Sequence, residues 1–106
     1  MKRRETVFEK KVYAITRRIR RGEVTNYRAI AIAIGNPKAY RAVGNALNRN
    51  SSPTIPCHRV VRSDMSVGGF NKGTVRKIAL LRSEGVSICN GRVIGWRSGN
   101  NLKRTQ

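Results

Sequence analysis

Two apolar, periodic segments on either side of Gly35-Asn36-Pro37 constrain the fold of this chain most. The first, "TNYRAIAIAIG", alternates Ala and Ile with period two, as a half-buried strand would. However, Ala is depleted in sheets and favoured in helices, Thr25 is a good N-cap residue, and Gly35 is a good C-terminal stop. We therefore predict a helix that starts after Thr25 and ends at Gly35.

The second segment, "NPKAYRAVGNALNRN", predicts another helix. Asn36 can act as its cap, and Pro37 suits the first helical position. Its predicted core face carries Tyr40, Val43 and Leu47. A basic, polar stripe lies on another face, formed by Lys38, Arg41, Asn45 and Arg49.

The charge of the chain favours a helix-turn-helix over an ordinary helical hairpin. The chain has 23 Lys and Arg against 5 Asp and Glu, a formal net charge of +18 and a pI of about 11.7. Such a surplus is costly unless something negative binds it, so we predict that nucleic acid is the partner. Small residues at 42, 44 and 46 would let the second helix approach that partner closely. An acidic membrane surface is the weaker alternative, because no segment supports it.

Three further elements complete a predicted single domain over residues 1–106. A helix from Thr6 to Gly22 begins with a Thr6/Glu9 capping box. Another runs from Thr74 to Gly85, and Asn90-Gly91 predicts a β-hairpin that carries Cys89 in a structural role. The predicted core positions of the two helices are Phe8, Val12, Ile15, Ile19, Val75, Ile78 and Leu81. The predicted class is mostly α, a winged helix-turn-helix-like bundle with short β-hairpin elements and a flexible basic tail over about 95–106.

The stretch "TIPCHRVV" places Cys57 between a proline and the only histidine of the chain. Cys57 could be a buried small hydrophobe, or a nucleophile that His58 and Arg59 keep in electropositive surroundings. From these residues alone both interpretations remain open. Two cysteines outside a CxxC pair and one histidine cannot supply the usual four-ligand zinc site, so we predict neither a metal nor a cofactor.

Five pieces in one order, "GEVTNYRAIA", "GNPKAYRAVGNAL", "IPCHRVV", "GGFNKG" and "KIALLRSEG", resemble the O6-alkylguanine-DNA alkyltransferases. The likeness runs from about Val7 to Val86 and matches the active-site, DNA-binding domain. The family's usual N-terminal domain has no counterpart in this sequence. The resemblance implies DNA repair in the cytoplasm, associated with the nucleoid, by a monomer that flips a damaged guanine out through the minor groove.

The resemblance also implies a role for individual residues. Cys57 would accept the alkyl group irreversibly in a single turnover, His58 would activate the thiol through a water, and Glu84 would orient His58. Tyr27 would donate a proton to the departing base, and Arg41 would fill the gap that the flipped base leaves. The remaining implied contacts are Asn50 bracing the active-site loop, backbone groups of Cys57 and Val60 at the guanine edge, the backbone of Asn71 in the lesion loop, and Lys77 near the thiolate.

Phe70, Asn71 and Lys72 depart from the family's lesion-binding loop, so the resemblance leaves the alkyl-group preference open. Two other functions remain as alternatives. One is a lesion-binding sensor without transfer, but the alkyltransferase-like proteins carry another residue in place of the cysteine. The other is a basic winged-helix protein that only holds DNA, which would not need His58 and Glu84 beside a thiol.

Overall fold

A computed structural model describes residues 4–50, 52–67 and 72–94 of the chain. The four helices it describes are α1 (Val7–Thr16), α2 (Tyr27–Ile34), α3 (Tyr40–Arg49) and α4 (Lys72–Ser83). Two short strand pairs accompany them, β1 (Thr25–Asn26) with β2 (Val60–Val61), and β3 (Ser87–Cys89) with β4 (Arg92–Ile94). The predicted class, mostly helical with a helix-turn-helix and small β elements, is confirmed. No helix in these ranges is both long and apolar enough to cross a membrane.

Helix α1 begins as predicted and ends earlier than predicted. The Thr6 hydroxyl accepts from the Glu9 amide at 3.1 Å, and the Glu9 carboxylate accepts from the Thr6 amide at 2.9 Å, which completes the capping box. The prediction that the helix continues to Gly22 is wrong. At Thr16 the side chain donates back to the Val12 carbonyl, and the amides of Arg18 and Ile19 donate to carbonyls three residues earlier, which tightens and ends the helix.

The helix-turn-helix consists of α2 and α3, joined by a 3₁₀ turn at Pro37–Ala39. Gly35 ends α2 in the left-handed conformation with φ +94°, as predicted. The cap of α2 is Asn26, whose side chain accepts from the Ala29 amide at 2.8 Å, and Thr25 lies in β1 instead. Asn36 makes no side-chain capping bond at the start of the 3₁₀ turn, contrary to the prediction.

Two apolar clusters form the core, one on each side of β2. The first packs α1, α2 and α3 together with Val60, and the second packs α4 and the β3–β4 hairpin together with Val61. Adjacent residues of a strand point in opposite directions, so β2 contributes one valine to each cluster. The segment that follows Cys57 is therefore anchored on both faces.

Several predicted core and surface positions differ in the structure. Tyr40 is 42% exposed and Val75 is 66% exposed, so neither is a core residue. Gly44 faces the Tyr27 ring, and Ala46 is fully buried with its carbonyl bound to the Tyr13 hydroxyl at 2.7 Å. These small residues thus serve internal packing, while Ala42 stays exposed. The other predicted core positions are buried or half-buried: Phe8, Val12, Ile15, Ile19, Val43, Leu47, Ile78 and Leu81.

Helix α4 begins two residues before its predicted start, and Thr74 lies inside it in a buried position. Gly85, with φ +90°, follows its end as predicted. The hairpin is also confirmed, since Asn90 and Gly91 both have positive φ and join β3 to β4 as a two-residue turn. Cys89 is exposed on that hairpin, so it is not part of the core. The predicted basic tail and the glycines at 68 and 69 lie outside the described residues.

Candidate active site

The parallel pairing of β1 with β2 brings the site together. Thr25 pairs with Val60 and Asn26 with Val61, so the residue that starts α2 lies beside the turn that precedes β2. That residue is Tyr27, and the turn is the 3₁₀ segment Cys57–Arg59. Residues 30 positions apart in sequence therefore meet because two very short strands fix their register.

The Cys57 thiol is tied to the C-terminal end of α3. Asn50 donates through Nδ2 to Sγ at 3.1 Å and to the Ser52 carbonyl at 3.1 Å. The Leu47 carbonyl lies 3.7 Å from Sγ and accepts from the thiol. Asn50 thus links the helix-turn-helix to the loop that carries Cys57, which is the contact that the resemblance implies.

Burial and charge act in opposite directions on the thiol. Burial is the largest influence and raises the pKa of Cys57 above its ordinary value, although the Asn50 hydrogen bond and the Lys77 charge offset part of that increase. Burial also lowers the pKa of Lys77 to about 8, and the Cys57 charge works against that shift. Each group therefore favours the charged form of the other, which is the arrangement that an activated thiolate needs.

Tyr27 completes this group from the α2 side. Its ring centroid lies 5.9 Å from Lys77 Nζ, within the range of a cation–π contact. Burial raises the pKa of the Tyr27 hydroxyl, and the Cys57 charge adds to that increase while Arg62 opposes it. Tyr27 consequently stays protonated at neutral pH and can donate a hydrogen bond or a proton.

Glu84 holds His58 and Arg59 together behind the thiol. His58 Nε2 lies 2.9 Å from Glu84 Oε2, while Arg59 donates to both carboxylate oxygens at 2.9 and 2.8 Å. These Arg59 bonds, with the His58 bond, lower the pKa of Glu84 to about 2, so its carboxylate is ionised and only accepts. His58 must then donate from Nε2, so the acceptor nitrogen of the neutral ring would be Nδ1.

Arg59 differs from its sequence interpretation. Its guanidinium donates to Glu84 and, at 2.8 Å, to the Ile19 carbonyl, so its described bonds brace Glu84 and none of them is to the thiol. The electropositive group near Cys57 is Lys77 instead. Sequence reasoning missed this Arg59 contact because its two partners lie 25 and 40 residues away, and only the adjacency of Arg59 to the Cys-His pair points to the site.

A cavity of about 460 Å³ opens onto Cys57 between α2 and α4. Its lining includes Tyr27, His58 and Lys77, together with Arg76 and Leu80, which the sequence did not single out. A second cavity of about 780 Å³ reaches Cys57 past the loop of residues 52–56 and also carries Arg17. Among the residues that the structure describes, neither lining contains Asp or Glu, so both cavities favour an anionic or electron-rich ligand.

The predicted DNA-contacting stripe is only partly exposed for binding. Lys38, Arg41 and Asn45 are exposed on the 3₁₀ turn and α3. Arg49 pairs through Nη1 with Glu9 Oε2 at 3.1 Å, and that carboxylate is 2% exposed. Arg49 therefore connects α3 to the capping box of α1 as well as facing solvent.

The remaining predicted site residues are Val60 and Asn71. The Val60 side chain is buried, and its amide donates to the Cys57 carbonyl, closing the 3₁₀ turn. Asn71 lies outside the described residues, as does Phe70, and of Lys72 only the backbone at the start of α4 is described.

Residues 7–86 match the family model described as the 6-O-methylguanine DNA methyltransferase, DNA binding domain. The chain belongs to this family. A Kluyveromyces lactis relative named methylated-DNA–protein-cysteine methyltransferase is 44% identical over 80 residues, which cover 74% of this chain and 42% of the relative. The chain thus spans less than half the length of that curated relative.

Two solved structures share the fold. The Mycobacterium tuberculosis O6-methylguanine methyltransferase aligns with a TM-score of 0.69 and 40% identity, covering 76% of this chain and 50% of that one. Atl1 of S. pombe, solved in complex with damaged DNA containing O6-carboxymethylguanine, aligns with a TM-score of 0.74 and 32% identity, covering 82% of this chain and 83% of that one.

Proposed function

We propose that this protein repairs DNA by irreversible, single-turnover transfer of an alkyl group from O6 of guanine to Cys57. The observation that carries the proposal is the set of groups at Cys57: the Asn50 amide bonded to Sγ, the Lys77 charge, and His58, which lines the same cavity and is held by Glu84. An alkyl carbon requires a soft, strong nucleophile, and thiolate is the strongest that a protein offers.

In the proposed step the Cys57 proton passes through a water to His58 Nδ1. Sγ then attacks the alkyl carbon, the S–C bond forms as the C–O6 bond breaks, and Tyr27 supplies the proton that lets guanine leave neutral. The thioether has no good leaving group, so each molecule reacts once. We further propose that Arg41 occupies the gap left by the flipped base, and that Lys38 and Asn45 contact the DNA backbone.

The proposed substrate is double-stranded DNA that contains O6-alkylguanine. The protein would act as a monomer, because one molecule supplies every group of the step, and it would act on chromosomal DNA in the cytoplasm. The formal net charge of +18 supports DNA as the partner.

Incubation with excess duplex containing O6-methylguanine, followed by intact-protein mass measurement, tests the proposal. We expect the mass of one methyl group, mapped by peptide analysis to Cys57 and absent from Cys57→Ala. Cys89→Ala is the matched control and should still react, because Cys89 is exposed and is not among the described lining residues of either cavity at Cys57. Repeated turnover, or methylation of Cys89, would contradict the mechanism.

A lesion sensor is the second candidate, because the similarity to S. pombe Atl1 extends over most of both chains. Tight and selective binding of the methylated duplex by the unmutated protein, without any mass increase, would favour the sensor.

A further inference from the structure

We propose that Arg59 is a positioning residue that neutralises Glu84 and thereby keeps His58 uncharged, so that His58 can accept the Cys57 proton. The second half of this inference rests on the proposed transfer to Cys57. The first half concerns only the three side chains His58, Arg59 and Glu84, and it can be tested without DNA.

The geometry fixes Arg59 on Glu84. Nε and Nη2 donate to the two carboxylate oxygens at 2.9 and 2.8 Å, a fork geometry that Lys cannot reproduce. Nη1 donates to the Ile19 carbonyl at 2.8 Å, so the segment after α1 holds the guanidinium from the other side. The Arg59 and Glu84 side chains are 16% and 7% exposed, so solvent screens this pair weakly.

The consequence for His58 is electrostatic. Glu84 Oε2 lies 2.9 Å from His58 Nε2 and 2.8 Å from Arg59 Nη2, so the same oxygen contacts both side chains. A carboxylate alone at that distance would strongly favour the imidazolium. Because Arg59 cancels the carboxylate charge, Glu84 can orient the ring without protonating it.

The other charged and titratable groups around His58 do not replace Arg59. The two cavities that His58 lines carry Tyr27 from α2, Cys57 beside it, Arg76 and Lys77 from α4, and Arg17 after α1. None of these lining residues is a carboxylate. Glu84 is therefore the described group that draws a proton to His58, and Arg59 is the group that balances it.

The single histidine of the chain makes a direct test possible. Its imidazole signals can be followed by NMR against pH in the untagged protein without ambiguity. In Arg59→Gln we expect the titration midpoint to move to higher pH by about one unit or more, since a nearby opposite charge shifts such equilibria by about 1–3 units. Arg59→Lys, which keeps the charge and loses the fork, should move it less.

Two controls separate this effect from simple loss of positive charge. Arg62→Gln removes a charge from the same segment, where Arg62 is exposed and has no described bond to Glu84, and it should move the midpoint much less. In a Glu84→Gln background, Arg59→Gln should no longer move the midpoint upward. An equal shift in Arg62→Gln, or a shift that persists without Glu84, would overturn the proposal.

The rate of methyl transfer against pH provides the functional readout. The acidic limb of the profile should move to higher pH in Arg59→Gln by the same amount as the NMR midpoint. A moved midpoint with an unmoved limb would show that His58 is not the base. If the unmutated protein transfers no methyl group, the proposed function fails, while the NMR comparison still decides what Arg59 does to His58. Arg59→Lys keeps the test valid if Arg59→Gln does not fold.

Discussion

At the scale of residues, the polar neighbours of the Cys57 thiol come from three different elements. Asn50 follows α3, Lys77 lies on α4, and the His58 that would accept the thiol proton is held by Glu84 after α4. Burial alone would make this thiol inert by raising its pKa. Its reactivity therefore depends on whether these polar neighbours offset burial.

Substituting Lys77 tests that balance. Lys77→Gln removes a charge that lowers the pKa of Cys57, so less thiolate forms at neutral pH. We expect Cys57 to react with iodoacetamide about threefold to tenfold more slowly at pH 7, with the rate–pH curve displaced to higher pH. The measurement uses a Cys89→Ser background so that one thiol reports.

Lys10→Gln is the control, since Lys10 is exposed on α1 and lines neither cavity. The Arg62 charge and the Tyr27 ring also act on the Lys77 ammonium, and neither residue is changed in this comparison. An unchanged rate in Lys77→Gln would mean that the thiolate does not depend on this cation.

The family resemblance pointed to Cys57, His58 and Glu84, which the structure brings together, but sequence reasoning missed the contact of Arg59 with Glu84 for a physical reason. These three residues could be named from the sequence because the segments that carry them resemble the family's segments in the same order. Arg59 was interpreted as part of the surroundings of the thiol, because neighbours in sequence are the only contacts a sequence offers directly. Its true partners are tertiary, and the short β1–β2 pairing that creates them leaves almost no periodic signal.

At the scale of elements, helix type was easier to predict than helix ends. The Ala-Ile alternation of α2 suggested a strand, yet helix propensity and the Gly35 stop gave the right element. The cap was assigned one residue too early because Thr and Asn are both good caps, and only the strand pairing of Thr25 decides between them. The end of α1 was missed because the run of Arg residues after Thr16 is compatible with a helix.

Two asparagines provide a matched test of capping. Asn26→Ala removes a side chain that accepts from the Ala29 amide, and we expect a loss of about 1 kcal/mol in the free energy of unfolding. Asn36→Ala should change it much less, because Asn36 makes no side-chain capping bond. Urea denaturation followed by circular dichroism measures both. Equal losses would show that the α2 cap bond contributes nothing specific.

Helix α3 carries a prediction about base flipping. Arg41 is exposed on α3, and in the proposed function it stabilises the extrahelical base without taking part in the displacement. Arg41→Ala should therefore slow transfer from duplex DNA by roughly tenfold to a hundredfold, because unstacking costs a few kcal/mol. Transfer from free O6-alkylguanine base should change little, and an equal loss on both substrates would instead indicate a structural role.

At the scale of the whole molecule, the few acidic residues serve the fold. Of five Asp and Glu, four accept a described hydrogen bond: Glu9, Glu23, Asp64 and Glu84. Glu9 and Glu84 are also largely buried beside arginines. The positive charge is consequently left on the surface, where it repels itself in the free protein and attracts phosphate.

This distribution predicts opposite effects of salt on folding and on DNA binding. Salt screens the repulsion between the surplus positive charges, and the screening length is about 10 Å at 0.1 M and shorter at higher concentrations. The free protein should therefore become more stable as sodium chloride increases, and each 1 kcal/mol gained in the free energy of unfolding raises Tm by about 4–8 °C.

DNA binding should weaken as salt increases, because phosphate contacts release counterions. Contact with about five phosphates gives a slope of roughly −4 to −5 in log affinity against log salt. Thermal unfolding and fluorescence anisotropy over the same salt series measure the two effects. A nearly flat binding curve would remove nucleic acid as the partner. A falling Tm would show that attractive ion pairs such as Arg59 with Glu84 outweigh the surface repulsion. Salt would then weaken these stabilising pairs by more than it weakens the repulsion.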